Sequence, residues 1–187
     1  MSEMCCGFYT LAKVGEPAPD FTMTTTADLD TLEATASLTD YKGKWLVLFF
    51  YPLDFTFVCP TEITAISERY ADFTRLGADV LGVSIDSVYA HRAWINTPRE
   101  QNGIAGVNFP LASDITKEVA HDYGVLIEDE GVALRGLFII DPEGILQYAV
   151  IHNKSIGRNV DETLRVLEAL QTGARCPANW QPGQQTL

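Results

Sequence analysis

The chain has 187 residues, 47% of them hydrophobic, which is enough for one domain with a sizeable core. Thirteen basic against 25 acidic side chains give a formal net charge of −12, a surface that repels nucleic acid and anionic membranes. No apolar run approaches the roughly 20 residues that span a bilayer, and the N-terminus lacks a basic segment followed by a long apolar one, so the expected compartment is the cytosol.

Residues 1–13 read as a mobile leader in which the adjacent Cys5 and Cys6 are incidental thiols. From Val14 to Phe21 the chain is punctuated by Pro17 and Pro19 and should run extended into a domain that occupies 14–173. Residues 23–39, rich in threonine, alanine and acid, suggest strand edges and loop. A turn over 41–44 precedes residues 45–51, Trp-Leu-Val-Leu-Phe-Phe-Tyr. This run is short, continuously apolar and stopped by Pro52, which predicts a strand buried on both faces.

After the loop 52–58 comes Cys59, and Pro60 stands where a first helical residue belongs. Ile63, Ile66, Tyr70 and Phe73 then recur at spacings of three and four, predicting one helix over 60–76 that closes at Gly77. Cys59 is thereby placed at a helix N-terminus. Unpaired backbone N–H groups and the positive end of the helix dipole favour a thiolate there, and the thiolate is the nucleophilic form. Residues 79–85 are the next strand, so strand, helix and strand form a right-handed parallel unit. Its cysteine lies beyond the carboxyl end of the first strand, where open α/β sheets place their sites.

Asp86 and Ser87 can cap a further helix carrying His91 and Trp94, followed by a loop near 98–110. His91 reads as structural. Residues 114–124 look like a short capped helix with Ile115, Val119 and Tyr123 inward. The acidic turn 128–131 leads to a hairpin, 132–140 and 145–151, across the turn 141–144. Arg135 lies in the otherwise apolar first arm, where a guanidinium is costly unless it has a partner, a task or a route to solvent. Asn159 opens a last helix with Val160, Leu164, Leu167 and Leu170 inward and Gly173 as its stop; a proline-containing tail, 174–187, expected to be mobile, carries Cys176.

Four cysteines, few and far apart in a core-rich chain, point to redox-active thiols rather than to structural disulfides. No Cys-x-x-Cys or His-x-x-x-His spacing offers a zinc site, and no metal or cofactor is expected. A thiol–disulfide oxidoreductase is disfavoured because Glu62 occupies the place of a second motif thiol. A cysteine hydrolase would need a base from His91, His121 or His152, each in a segment with a plainer structural reading.

Pro52, Thr56 and Cys59 match the pattern Pro-x-x-x-Thr-x-x-Cys, and the string around them resembles the peroxiredoxins, in particular the two-cysteine, alkyl hydroperoxide reductase C type. The resemblance runs from Val14 to Leu187 and implies a thioredoxin-like α/β fold, a central mixed sheet flanked by helices. It implies that Cys59 is the peroxidatic thiol, that Thr56 and Arg135 hold the peroxide, and that Pro52 shields the site. Glu62 and Arg158 would form a supporting shell. Cys176, in Cys-Pro-Ala-x-Trp, would be the resolving thiol, joined to Cys59 of another subunit in a homodimer that could assemble further into a ring of dimers. The reaction implied is reduction of hydrogen peroxide and organic hydroperoxides, with thioredoxin or a dedicated flavoprotein as electron donor and a holdase chaperone role as an addition. After Ile127 the chain lacks a Gly-Gly-Leu-Gly insert, and it ends at Leu187 without a Tyr-Phe helix, which implies resistance to overoxidation.

Overall fold

The computed structural model describes residues 11–187. The chain enters along Pro17, bridged to Ile145, and turns into β1 (Thr22–Thr25), paired antiparallel with β2 (Thr35–Ser37). The apolar run forms β3 (Trp45–Phe50), and Val47 to Tyr51 are completely buried. The predicted long helix is two, α1 (Cys59–Glu68) and α2 (Tyr70–Arg75), broken at Arg69, whose backbone (φ −101°, ψ 8°) leaves the helical range. Ile63, Ile66 and Phe73 still share one buried face, and for that reason the apolar spacing did not reveal the break.

Next come β4 (Ala78–Ser84), α3 (Val88–Ile95) capped by the Ser87 side chain, β5 (Leu111–Ser113) and α4 (Glu118–Asp122). Asp114 accepts from the backbone N–H groups of Val119 and Ala120 at 3.2 and 2.7 Å. Ile115 departs from its predicted inward position and is 63% exposed, because Lys117 takes a left-handed conformation (φ 66°) and resets the helical register before Val119. The first arm of the hairpin is likewise interrupted. β6 (Leu126–Ile127) pairs with β7 (Val132–Ala133) across the acidic turn, and β8 (Arg135–Ile140) then pairs with β9 (Leu146–His152). The last helix is α5 (Val160–Gln171), capped by the Asn159 side chain.

Seven strands form one sheet in the order β2-β1-β5-β4-β3-β8-β9, with β5, β4 and β3 parallel and the rest antiparallel, the mixed sheet expected. The alternation of a strand sorts the core onto two faces. Leu46, Leu48 and Phe50 pack with Val119, Tyr123 and Phe138, whereas Val47, Phe49 and Tyr51 pack with Ile63, Phe73, Trp94, Leu164 and Leu167. The second face therefore carries α1, α2, α3 and α5. Among the described residues no helix is long and apolar enough to cross a membrane.

Candidate active site

Tyr51 ends the buried run at the carboxyl end of β3, residues 52–58 make the loop, and α1 opens on Cys59, whose side chain is completely buried. The antiparallel pairing of β3 with β8 sets Phe49 opposite Leu137, so Arg135, two residues back along β8, stands at that same end of β3. Its Nη1 donates to the Cys59 Sγ at 3.4 Å and to the Glu62 Oε2 at 2.5 Å, and its Nε donates to the Lys154 carbonyl at 2.7 Å. Arg135 is 2% exposed, so it is not an edge arginine reaching solvent.

Glu62, one turn after Cys59 on α1, is the partner that makes this burial affordable. Besides Arg135 it accepts from the backbone N–H of Arg158 at 2.8 Å and from its Nε and Nη2 at 2.7 and 3.1 Å. Arg158 also donates from Nη1 to the carbonyls of Phe50 (2.9 Å) and Gly136 (2.5 Å), tying the ends of β3 and β8 together just before α5 begins. Burial alone would raise the Glu62 carboxyl, but the Arg158 and Arg135 guanidiniums outweigh it and hold it below its ordinary value. One carboxylate between two guanidiniums leaves the cluster one net positive charge, which an anion at Sγ neutralises.

The loop before Cys59 is anchored from beneath. Tyr51 donates its hydroxyl to the Asp54 Oδ1 at 2.8 Å, the Asp54 Oδ2 lies 2.7 Å from the His91 Nδ1, and the Asp54 N–H donates to Asp86 at 2.9 Å. The His91 Nε2 faces the Ala112 carbonyl at 3.2 Å, an acceptor only, so that nitrogen carries a proton. Burial pushes the Asp54 carboxyl up, with His91 acting against it. His91 is thus structural and fully buried, an anchor of the motif loop. The pattern reading missed Asp54 and gave Asp86 only a helix-capping place; for Asp54 the available signal was an acid inside an apolar loop, which must be paired if buried. Pro52 is buried, and the Thr56 hydroxyl donates to the Leu53 carbonyl at 3.0 Å, which leaves its lone pairs free to accept. Phe57, 88% exposed, is directed to solvent.

Cys176 is not brought to Cys59 within one chain. Its Sγ lies 3.8 Å from the Ala169 carbonyl and 3.6 Å from the Thr172 hydroxyl, at the far end of α5. Arg158, which touches the Cys59 cluster, precedes the near end, and twelve helical residues span roughly 18 Å between them. The tail packs rather than hanging free: Trp180 is 4% exposed and its carbonyl accepts from Arg165 on α5 at 2.9 Å. Cys5 and Cys6 lie outside the described residues. Among the described residues, no three His, Cys, Asp or Glu side chains are grouped to hold a metal ion.

Residues 14–149 match the AhpC/TSA family. A putative peroxiredoxin of Bacillus subtilis, YkuU, is 58% identical over 175 residues, covering 93% of this chain and 97% of that protein. Among the solved structures that share the fold are two from Plasmodium vivax and Mycobacterium bovis. The reduced 2-Cys peroxiredoxin of Plasmodium vivax has a TM-score of 0.88 at 43% identity, covering 92% of this chain and 91% of that one. The Mycobacterium bovis AhpC has a TM-score of 0.78 at 40% identity, covering 91% and 99%.

Proposed function

This chain belongs to the AhpC/TSA family and is a peroxiredoxin, a thiol-dependent peroxidase, and from that premise we propose that Cys59 is its peroxidatic thiol and Cys176 its resolving thiol. The observation that carries this reading is the Arg135 guanidinium, buried and 3.4 Å from a buried sulfur, in a cluster with one net positive charge.

The Cys59 thiolate attacks the terminal oxygen of the hydroperoxide. The O–O bond breaks, an S–O bond forms, the sulfur loses two electrons, and the departing oxygen takes a proton and leaves as alcohol or water. Arg135 stabilises the thiolate before the step and the charge moving onto the leaving oxygen during it, and Thr56 offers lone pairs to a peroxide proton. Pro52 closes the pocket against bulk water. Glu62 and Arg158 act one step back, fixing the plane of Arg135.

The sulfenic acid then meets Cys176. The separation of the two thiols along α5 favours a Cys176 from a second subunit, hence a homodimer whose units can assemble into a ring. Residues 14–173 serve as the peroxidase domain and 174–187 as the segment that delivers the resolving thiol. An external dithiol protein, thioredoxin or a dedicated flavoprotein reductase, returns the disulfide to two thiols in the cytosol.

Arg135→Met keeps an unbranched side chain in the strand and removes the charge. The second-order rate with hydrogen peroxide, followed by stopped-flow, is expected to fall about 10²- to 10³-fold, the range for one lost transition-state donor. A rate within a factor of about three of the wild type would remove Arg135 from the reaction, since a donor to the reacting atoms is worth far more.

A further inference from the structure

The segment between α3 and β5 reaches the thiol's loop at one polar contact. Asn102 takes a left-handed backbone (φ 63°), and its Nδ2 donates to the Thr56 carbonyl at 2.6 Å. Its own carbonyl accepts from the indole N–H of Trp94 at 2.8 Å, and Trp94 is completely buried. The adjacent Gly103 lies so close to the end of α3 that a Cβ there would sit 1.9 Å from the Thr97 carbonyl oxygen. Asn102 is therefore held in place independently of the bond it makes to Thr56.

The other end of the same segment grips the thiol's helix. Asn108 donates from its side chain to the Ser67 carbonyl at 3.1 Å and from its backbone to the Ser67 hydroxyl at 3.2 Å. Residues 102–108 thus form a brace, fixed to the last turn of α1 at Ser67 and to the loop at Thr56, three residues ahead of Cys59. Ser67 belongs to a part with no reason to move. Thr56 belongs to the part that must.

We propose that Asn102 is a positioning residue that holds this loop closed over Cys59 and so sets how fast the oxidised sulfur becomes accessible to Cys176. The inference rests on the assignment of the two thiols made above. Cys59 is completely buried, so a disulfide cannot form until the loop and the first turn of α1 part from it. In the step that follows opening, the Cys176 sulfur attacks the Cys59 sulfur of the sulfenic acid. The S–O bond breaks, the S–S bond forms, and the hydroxyl leaves as water with the proton of the Cys176 thiol. Opening withdraws the Thr56 carbonyl from an amide that cannot follow it, so the strength of that one bond enters the opening equilibrium.

Two variants test this. Asn102→Gly keeps the left-handed backbone and deletes the amide; Asn102→Asp keeps shape and backbone preference but presents a carboxylate that cannot donate. In both, stopped-flow after one equivalent of hydrogen peroxide should show the first-order formation of the Cys59–Cys176 bridge accelerated about five-fold, the size of one net hydrogen bond. The second-order reaction of Cys59 with peroxide should change less than about two-fold, because a closed state that still dominates loses little population. At a fixed excess of peroxide the sulfinic fraction should fall. Bridge formation equally fast in all three proteins overturns this proposal alone, as does a parallel fall of both rates, the mark of a collapsed turn. A wild type that forms no Cys59–Cys176 bridge removes the thiol assignment and this proposal with it.

Discussion

Cys59→Ser is expected to fold as the wild type does and to consume peroxide more than about 10³-fold more slowly, since a serine hydroxyl with no adjacent base is a far poorer nucleophile than an activated thiolate. The change is one atom in a completely buried site, and the Glu62, Arg135 and Arg158 cluster keeps its own pairings without the sulfur. Cys176→Ser should separate the two chemical steps. Its first peroxide reaction should match the wild type, after which Cys59 has no resolving partner and passes to the sulfinic acid as peroxide is added. Stopped-flow with intact-mass analysis reads both. Peroxide consumption by Cys59→Ser at the wild-type rate would move the nucleophile to another of the chain's cysteines.

Glu62→Gln has the second largest expected effect, and it is on stability as well as rate. The amide keeps the shape of the side chain but removes the carboxylate that Arg135 and Arg158 share, leaving two buried guanidiniums with at most the one charge of the Cys59 sulfur between them. Breaking a buried pair in this way costs about 3–5 kcal/mol, because the remaining charges stay desolvated. For a chain of this length that corresponds to a fall in Tm of roughly 6–20 °C. The pH dependence follows from the Glu62 carboxyl being held below its ordinary value of 4.5 in the folded protein. Its contribution is fully present above the ordinary value and is lost as pH falls through the folded one. Wild type and Glu62→Gln should therefore differ most in denaturant unfolding near neutral pH and converge in acid. The peroxide rate should fall too, through Arg135, whose donor is aimed by the Glu62 Oε2. Equal stability near neutral pH would mean that the carboxylate is not what offsets the two buried charges.

The parts of the fold legible in the sequence are those that a local pattern encodes. Seven apolar residues before Pro52 suit a strand buried on both faces, and Pro60 after Cys59 marks a helix start, so the thiol's place followed from the sixteen consecutive residues 45–60. Local patterns fail where a single residue resets the register. Lys117 in its left-handed conformation turned Ile115 outward, and the break at Arg69 left the apolar spacing of α1 and α2 intact. They fail also where a contact spans the chain. Arg135 in an apolar strand was compatible with burial or with solvent, and what decides is Glu62, 73 residues earlier, which also takes the Arg158 side chain from 96 residues away. The anchoring of Asp54 by His91 and Asp86, and of Thr56 by Asn102, is of the same kind. Periodicity is blind to such pairs, and only the three-dimensional path of the sheet brings them together.

The most direct test of the thiol assignment is to mix fully reduced chains of normal and heavy-isotope content, let the subunits exchange, add one equivalent of hydrogen peroxide, and digest under non-reducing conditions. The expected product is a peptide pair joining Cys59 to Cys176, with light–heavy crosses in the proportion that random pairing of two chains gives. A sulfinic Cys59 at that stoichiometry, or a bridge from Cys59 to Cys5 or Cys6 in place of Cys176, would contradict it.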